Sequence, residues 1–328
     1  MEKRNIVIIG GGPGGLMAAF ELARAGRDVL LLEKHAEFGH KVCAEAITAK
    51  TLDKFPFAFP CIEKSFRRLK LNYYGKTTYF GRKAPVIHMI NRRLLGEIQK
   101  ELAEAAGAEI RLGTNVRRIS DQAIETTTGE KISYDYLIGA DGNKSIVRKF
   151  LKIPTKLYGV GIQYRLPGKR RELEIHLDTS KWDFHYAWVF PHKNYTSIGT
   201  GYPIHKSAKP FVENLKQLCR QSGFKPETAN LESDMINADF RGYQFGNKYL
   251  VGESSGLISS LTGEGIYNAL IMGSEVAKQI ITGQKSSPVI QSRLETKCKH
   301  ERFIRLYNRC PWLVSLGYRS MPILKKFK

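Results

Sequence analysis

The spacing of apolar residues changes period several times along this chain. Residues 5–10, Asn-Ile-Val-Ile-Ile-Gly, form a short unbroken apolar run ending in glycine. That is the pattern of a strand buried on both faces. The segment PGGLMAAFELARAG follows, with Leu16, Ala19, Phe20 and Ala23 at helical spacing, and Gly26 stands where a helix stops. DVLLLEK is a second buried run. Strand, glycine turn, helix and strand make a βαβ unit, which implies a parallel sheet. LLGEIQKELAEAAG (94–107) predicts an amphipathic helix closed by Gly107. EIRLGTNVRRIS and AIETTTGEKISYDYLIGADG predict strands, with a hairpin at Thr128-Gly129-Glu130. Residues 66–80 and 157–201 change to period two and are rich in Tyr, Trp and Phe, which predicts antiparallel sheet. Residues 210–222 predict a helix, and 248–283 read as strand, turn and helix.

The predicted fold class is therefore α/β, with two interleaved domains. A Rossmann-like nucleotide-binding domain is drawn from residues 1–65, 85–155 and 235–285. An antiparallel-sheet substrate domain comes from 66–84 and 156–234, and a helical segment from 286–328 closes the chain.

Length and composition fit this picture: 328 residues, 42% of them hydrophobic. No apolar run approaches 18 residues, the length a membrane-spanning helix needs. Met1-Glu2-Lys3-Arg4 leads directly into the first strand without a secretory signal pattern, so a cytoplasmic location is expected. The five cysteines, Cys43, Cys61, Cys219, Cys298 and Cys310, form no CxxC pair, and neither disulfides nor a metal site are expected. The net charge of +21 favours anionic partners. No nucleic-acid-binding motif accompanies it, leaving anionic lipids and phosphorylated small molecules.

Gly10, Gly12 and Gly15 fit G-x-G-x-x-G between a strand and a helix. That arrangement lets backbone N–H groups and a helix N-terminus face a pyrophosphate. Glu33 closes the second strand, 23 residues after Gly10, where a carboxylate accepts hydrogen bonds from ribose hydroxyls. This much suits FAD or NAD. Two further segments separate them. IGADGNKSIVR, with Asp141 and Gly142, resembles the Asp-Gly motif of the flavoprotein group that includes aromatic hydroxylases. VGESSGLISSLTGEGIYNAL resembles that group's late ribityl-binding motif at Gly252, Gly256, Gly263 and Gly265, with Glu253 where aspartate is usual. Arg92 matches the arginine that begins a helix in the same group. The resemblance implies FAD as cofactor. It also implies contacts from Pro13, Gly14, Lys34, Lys41, Val42, Cys43, Ala44, Val116 and Ile266.

YAWVFP (186–191), seven residues and then Gly199-Thr200-Gly201 resemble a signature of the geranylgeranyl reductase family. HKVCAEAIT (40–48) resembles that family's cysteine segment, with Ala44, Glu45 and Ala46 where glycines are frequent. The resemblance runs from about residue 5 to 283 and implies an FAD-dependent oxidoreductase that saturates double bonds of prenyl or isoprenoid lipid-type substrates. Tyr186, Trp188 and Phe190 fall on one side of a strand, and either wall a substrate slot or pack a core. Cys43 is either the proton donor or a small buried hydrophobe. His40 and Lys41 are flavin contacts, head-group contacts or solvated loop charges. Electrons would come from NADPH or a ferredoxin-like donor. The alternative is an FAD-dependent monooxygenase or halogenase acting on an aromatic or lipid substrate.

Residues 286–328 carry ten basic and two acidic residues, among them Arg302, Arg305 and Arg309 at helical spacing, interleaved with Phe303, Ile304, Leu306, Tyr307 and Trp312. Such a segment either packs on the FAD-binding domain or lies on the anionic inner face of a membrane as a peripheral contact.

Overall fold

The computed structural model describes residues 1–310 and 312. The chain opens with β1 (Glu2–Ile9), α1 (Pro13–Arg24) and β2 (Val29–Leu32). After a loop come β3 (Ala46–Thr48), α2 (Ala49–Lys54), β4 (Ile62–Phe66), β5 (Arg68–Tyr73), β6 (Lys76–Gly81) and β7 (Ile87–Ile90). Next are α3 (Arg92–Ala105), β8 (Glu109–Arg111), β9 (Val116–Ile119), β10 (Ala123–Thr126), β11 (Lys131–Gly139) and α4 (Ile146–Phe150). The aromatic region holds β12 (Tyr158–Pro167), β13 (Leu173–Leu177), α5 (Thr179–Trp182), β14 (Ala187–Pro191) and β15 (Tyr195–Pro203). The chain returns through α6 (Ala208–Gln221), β16 (Leu231–Asn237), β17 (Gln244–Phe245), β18 (Lys248–Leu250), α7 (Ile266–Thr282) and α8 (Pro288–Arg309).

The first sheet has the order β17-β18-β11-β1-β2-β8, with β10 pairing β11 and β9 at one end. β1, β2, β8, β11 and β18 are parallel. Both faces of β1 are covered, which explains its unbroken apolar run. Ile6 and Ile8 join Leu16, Leu22, Met272 and Val276 in a core under α1 and α7. Val7 and Ile9 join Val116, Ile124, Ile132 and Val147 on the other face.

The second sheet has the order β16-β12-β15-β14-β13-β5-β6. Its pairings are antiparallel, as expected, except that β13 runs parallel to β5. The β5–β6 hairpin joins this sheet after the chain has crossed the other domain, so no tight turn fixes its direction. One face of the sheet packs Ile162, Leu166, Val189 and Ile198 against Phe211, Leu215 and Leu218 of α6. A small third sheet, β3-β7-β4, meets the other face, where Met89, Leu173 and Phe190 are buried together.

Helix α8 is docked by its inner side. Lys297 is buried and donates to Ala238 O at 2.6 Å and Ile258 O at 2.9 Å. His300 Nδ1 lies 2.8 Å from Ser259 Oγ, and the Tyr307 ring packs edge-on against Phe184. Of the tail, residues 311 and 313–328 lie outside the described residues.

Candidate active site

β1 ends one residue before Gly10, which takes φ +107°, a conformation costly for any side chain. A Cβ on Gly10 would lie 2.4 Å from Ala140 O, and one on Gly15 would lie 2.1 Å from Gly10 O. Bare backbone is therefore what lets α1 approach the ends of β1 and β11. Gly14 and Gly273 do the same where α1 crosses α7: a Cβ on Gly273 would lie 2.2 Å from Gly14 O. Gly12 is the N-cap of α1 and supplies no side-chain cap, while Pro13 begins the helix. The first-turn N–H groups thus remain open to an anion. At the end of β2, Glu33 accepts from Gly11 N at 2.6 Å and His35 N at 2.9 Å. Lys34 beside it is exposed, whereas Val116 is in the core with Val7 and Leu30.

Asp141 Oδ2 accepts from Ile146 N at 2.7 Å and Val147 N at 3.3 Å. Its Oδ1 is shielded and has no partner in the protein, and burial pushes the carboxyl up from its ordinary value. Gly142 follows at φ +76°. Arg92 starts α3 and donates from Nη1 to Lys41 O at 2.8 Å, while its Nε is shielded and unpartnered. A bare helix N-terminus, an orphaned acceptor and an orphaned donor fit the diphosphate and polyol chain of FAD.

The late motif turns at Gly252, φ +62°, passes Gly263 and reaches α7 with Gly265 as N-cap and Ile266 first. Glu253 is bonded within the protein. Its Oε2 lies 2.8 Å from Lys41 Nζ, and its Oε1 accepts from Asn237 N at 2.9 Å. Burial pushes the Glu253 carboxyl up, and Lys41 pulls the other way. Lys41 also pairs with Asp234 at 3.2 Å and donates to Met235 O at 3.2 Å. The loop carrying Lys41, Val42 and Cys43 is thereby tied to β16 and to the late motif.

Cys43 is half-buried, and its Sγ accepts from Glu45 N at 3.3 Å. Ala44, Ala46 and Trp188 pack against the cluster that holds Phe190, so the cysteine loop and the aromatic strand meet. Tyr186, Trp188 and Phe190 form a ladder, with ring centroids 6.2 and 6.1 Å apart. Phe190 is buried, whereas Tyr186 and Trp188 are half-exposed. Trp188 lies directly over Gly199, where a Cβ would fall 2.2 Å from the indole. The polar tips are satisfied internally. Tyr186 Oη donates to Thr262 O at 2.9 Å and Trp188 Nε1 to Ser197 Oγ at 2.8 Å. Burial, assisted by the nearby Cys43, pushes the Tyr186 phenol up to about 12. The wall therefore offers a ligand apolar ring surface and no free donor.

A second set of groups here has no sequence motif. Glu45 takes φ +55°, uncommon without glycine. Its buried carboxylate accepts from Arg165 Nη2 at 2.9 Å. Arg165 continues to Glu232 at 3.2 Å, and Gln163 links Glu232 to Ser197 at 2.7 and 3.0 Å. A cavity of about 290 Å³ beside this network is lined by His40, Glu45, Glu63, Arg93, Arg165 and Tyr195, among others. Only the charged β12 and β16 positions, on strands otherwise alternating, could have signalled this network.

Residues 3–166 match the FAD binding domain family. The chain is 27% identical to a chloroplastic geranylgeranyl diphosphate reductase of Oryza sativa subsp. japonica, over 99% of this chain and 75% of that one. It is 27% identical to digeranylgeranylglycerophospholipid reductase 1 of Methanopyrus kandleri, over 90% and 86% respectively. Among solved structures, a geranylgeranyl bacteriochlorophyll reductase-like protein from Thermoplasma acidophilum superposes with a TM-score of 0.77. It is 20% identical, covering 97% of this chain and 88% of the other.

Proposed function

Because the chain belongs to the FAD binding domain family and is an FAD-dependent oxidoreductase, we propose that it reduces isolated carbon–carbon double bonds of a prenyl or isoprenoid lipid-type substrate. The observation that carries this reading is the meeting of the Tyr186–Trp188–Phe190 ladder with the Cys43 loop and Thr262 of the late motif. A wall of rings without free polar tips suits a long apolar chain. The similarity to reductases of geranylgeranyl substrates over nearly the whole chain supports it.

When bound in reduced form, FAD supplies a hydride for one alkene carbon. Gly10, Gly12, Gly15 and Glu33 would hold its dinucleotide part, and Asp141 and Arg92 would meet its diphosphate and polyol chain with the polar atoms they leave unpartnered. Tyr186 and Trp188 orient the alkene and exclude water. Cys43 gives the proton to the second alkene carbon and is reprotonated from solvent. Reducing equivalents arrive from NADPH or a ferredoxin-like donor.

The test reduces the purified protein anaerobically and adds prenyl diphosphates or prenyl lipids. Flavin reoxidation with two hydrogens gained per bond is expected, and Trp188→Ala should slow it about tenfold or more at unchanged FAD content. Unchanged turnover in that variant would remove the aromatic wall from the mechanism. Reoxidation by oxygen alone, with a hydroxylated product, would favour a monooxygenase.

The outer side of α8 carries the proposed membrane contact. Arg302, Arg305, Leu306 and Arg309 are exposed there, and Trp312 is exposed beyond the helix end. No helix among the described residues is long and apolar enough to cross a membrane, so the contact is peripheral. Reversing the three arginines to glutamate should weaken co-sedimentation with anionic liposomes by about a hundredfold or more. Equal pelleting of the variant and the parent would remove the membrane contact.

A further inference from the structure

His192 is fully buried in the turn between β14 and β15, and no motif singles it out. Its ring joins three parts of the molecule. Nδ1 lies 3.1 Å from Glu63 Oε2 on β4, and Nε2 lies 3.2 Å from Ala44 O in the cysteine loop. The ring face stacks on Tyr195 at 4.3 Å and 7°. A backbone carbonyl only accepts, so Nε2 carries hydrogen. Nδ1 faces a carboxylate oxygen that also receives Lys193 N at 3.4 Å, so both ring nitrogens face acceptors.

The Ala44 carbonyl that His192 grips belongs to the same peptide group as Glu45 N–H. That N–H donates to Cys43 Sγ. A hydrogen bond donated to the oxygen of an amide strengthens the N–H on its far side as a donor. A sulfur anion accepts such a bond more strongly than a thiol does.

Building on the reading of Cys43 above, we propose that His192, held by Glu63, is a positioning residue that eases proton release from the Cys43 thiol through the single peptide group between Ala44 and Glu45. In the step itself the S–H bond breaks and its electron pair stays on sulfur. The proton forms the new C–H bond at the alkene carbon not taken by the hydride. Other charged or titratable groups around this device are Glu45 from the loop, Arg165 from β12, Tyr186 beside β14, Tyr195 from β15 and Lys193 from the turn. Arg165 sits over the Tyr195 ring at 5.4 Å. Burial, followed by the charge of Glu45, pushes the Tyr195 phenol well above its ordinary value, so it stays protonated.

The experiment follows alkylation of Cys43 by iodoacetamide, peptide by peptide in a mass spectrometer, from pH 6 to 10 on FAD-loaded protein. Exposed Cys298 is the internal reference. His192→Phe should slow Cys43 alkylation near neutral pH about tenfold, the loss of roughly one hydrogen bond, and move its pH profile upward. Cys298 should keep its rate. His192→Gln, which keeps an N–H for Ala44 O but loses the ring held by Glu63, should fall between. If His192→Phe does not fold, His192→Gln and Glu63→Gln carry the test. A folded variant of either position with an unchanged Cys43 profile overturns the proposal. Full turnover in Cys43→Ala would instead overturn the assignment of Cys43 as proton donor, and the alkylation result would stand apart from it.

Discussion

Protein carrying Gly15→Ala is expected to come off the column colourless. The new methyl would sit 2.1 Å from Gly10 O and 2.9 Å from the Ala140 Cβ. Both neighbours are fixed in or beside the parallel sheet, so α1 must shift, and the anion-binding end of the helix shifts with it. Overpacking of this kind costs about 3 kcal/mol or more, which is at least about a hundredfold in FAD affinity. Gly12→Ala makes the comparison sharp. Its Cβ would meet nothing closer than Ala140 O at 3.9 Å, so the ligand-free protein should melt like the parent. The methyl nevertheless projects where the pyrophosphate must approach backbone, and FAD should again be lost. Absorbance at the flavin band per mole of protein, with titration of FAD into stripped protein, measures both. Full flavin content in Gly12→Ala would show that the pyrophosphate does not lie along this turn.

Lys41→Met should cause a marked loss of stability. Lys41 compensates Glu253, whose side chain is 11% exposed, and Asp234 on β16. Removing it leaves a buried carboxylate with Asn237 N as its remaining donor. A broken buried pair costs about 3 kcal/mol, or roughly 5–10 °C in a chain of this size. Burial already holds the Glu253 carboxyl above its ordinary 4.5, and loss of Lys41 moves it further up. A raised folded-state value means that Glu253 is tolerated best when protonated. The deficit of the variant is therefore smallest below 4.5 and grows as pH rises through the folded-state value. Melting curves at pH 5 and pH 8 should show a wider gap from the parent at pH 8. Lys41→Met with Glu253→Gln should recover most of the loss, whereas a gap independent of pH would exclude this account.

The glycine turn, the Asp-Gly turn and the late motif were legible in the sequence because each encodes its geometry locally. A turn that must leave room for a phosphate needs glycine at fixed offsets. The ladder of Tyr186, Trp188 and Phe190 was legible for a similar reason, since period two on a strand places the three rings together. Long-range pairing was not. Lys41 meets Glu253 across 212 positions of sequence, and nothing near either residue announces the other. Glu45 stands where glycines are frequent, and Arg165 on a distant strand balances its charge. His192 belongs to no motif, and Glu63 reaches it from the third sheet. The parallel pairing of β13 with β5 was hidden too, because alternation marks a strand and its faces but not the direction of its partner.

The internal bonding of Tyr186 and Trp188 has a consequence for selectivity. A surface that cannot hydrogen-bond sorts molecules by thickness and branching alone, and one methylene more or less changes fit by only about 1–3 kcal/mol. Successive five-carbon units of a polyprenyl chain look alike to such a surface. Register along the chain must then be set at the far polar end of the molecule, and homologues of different length should be processed by the same protein at comparable rates.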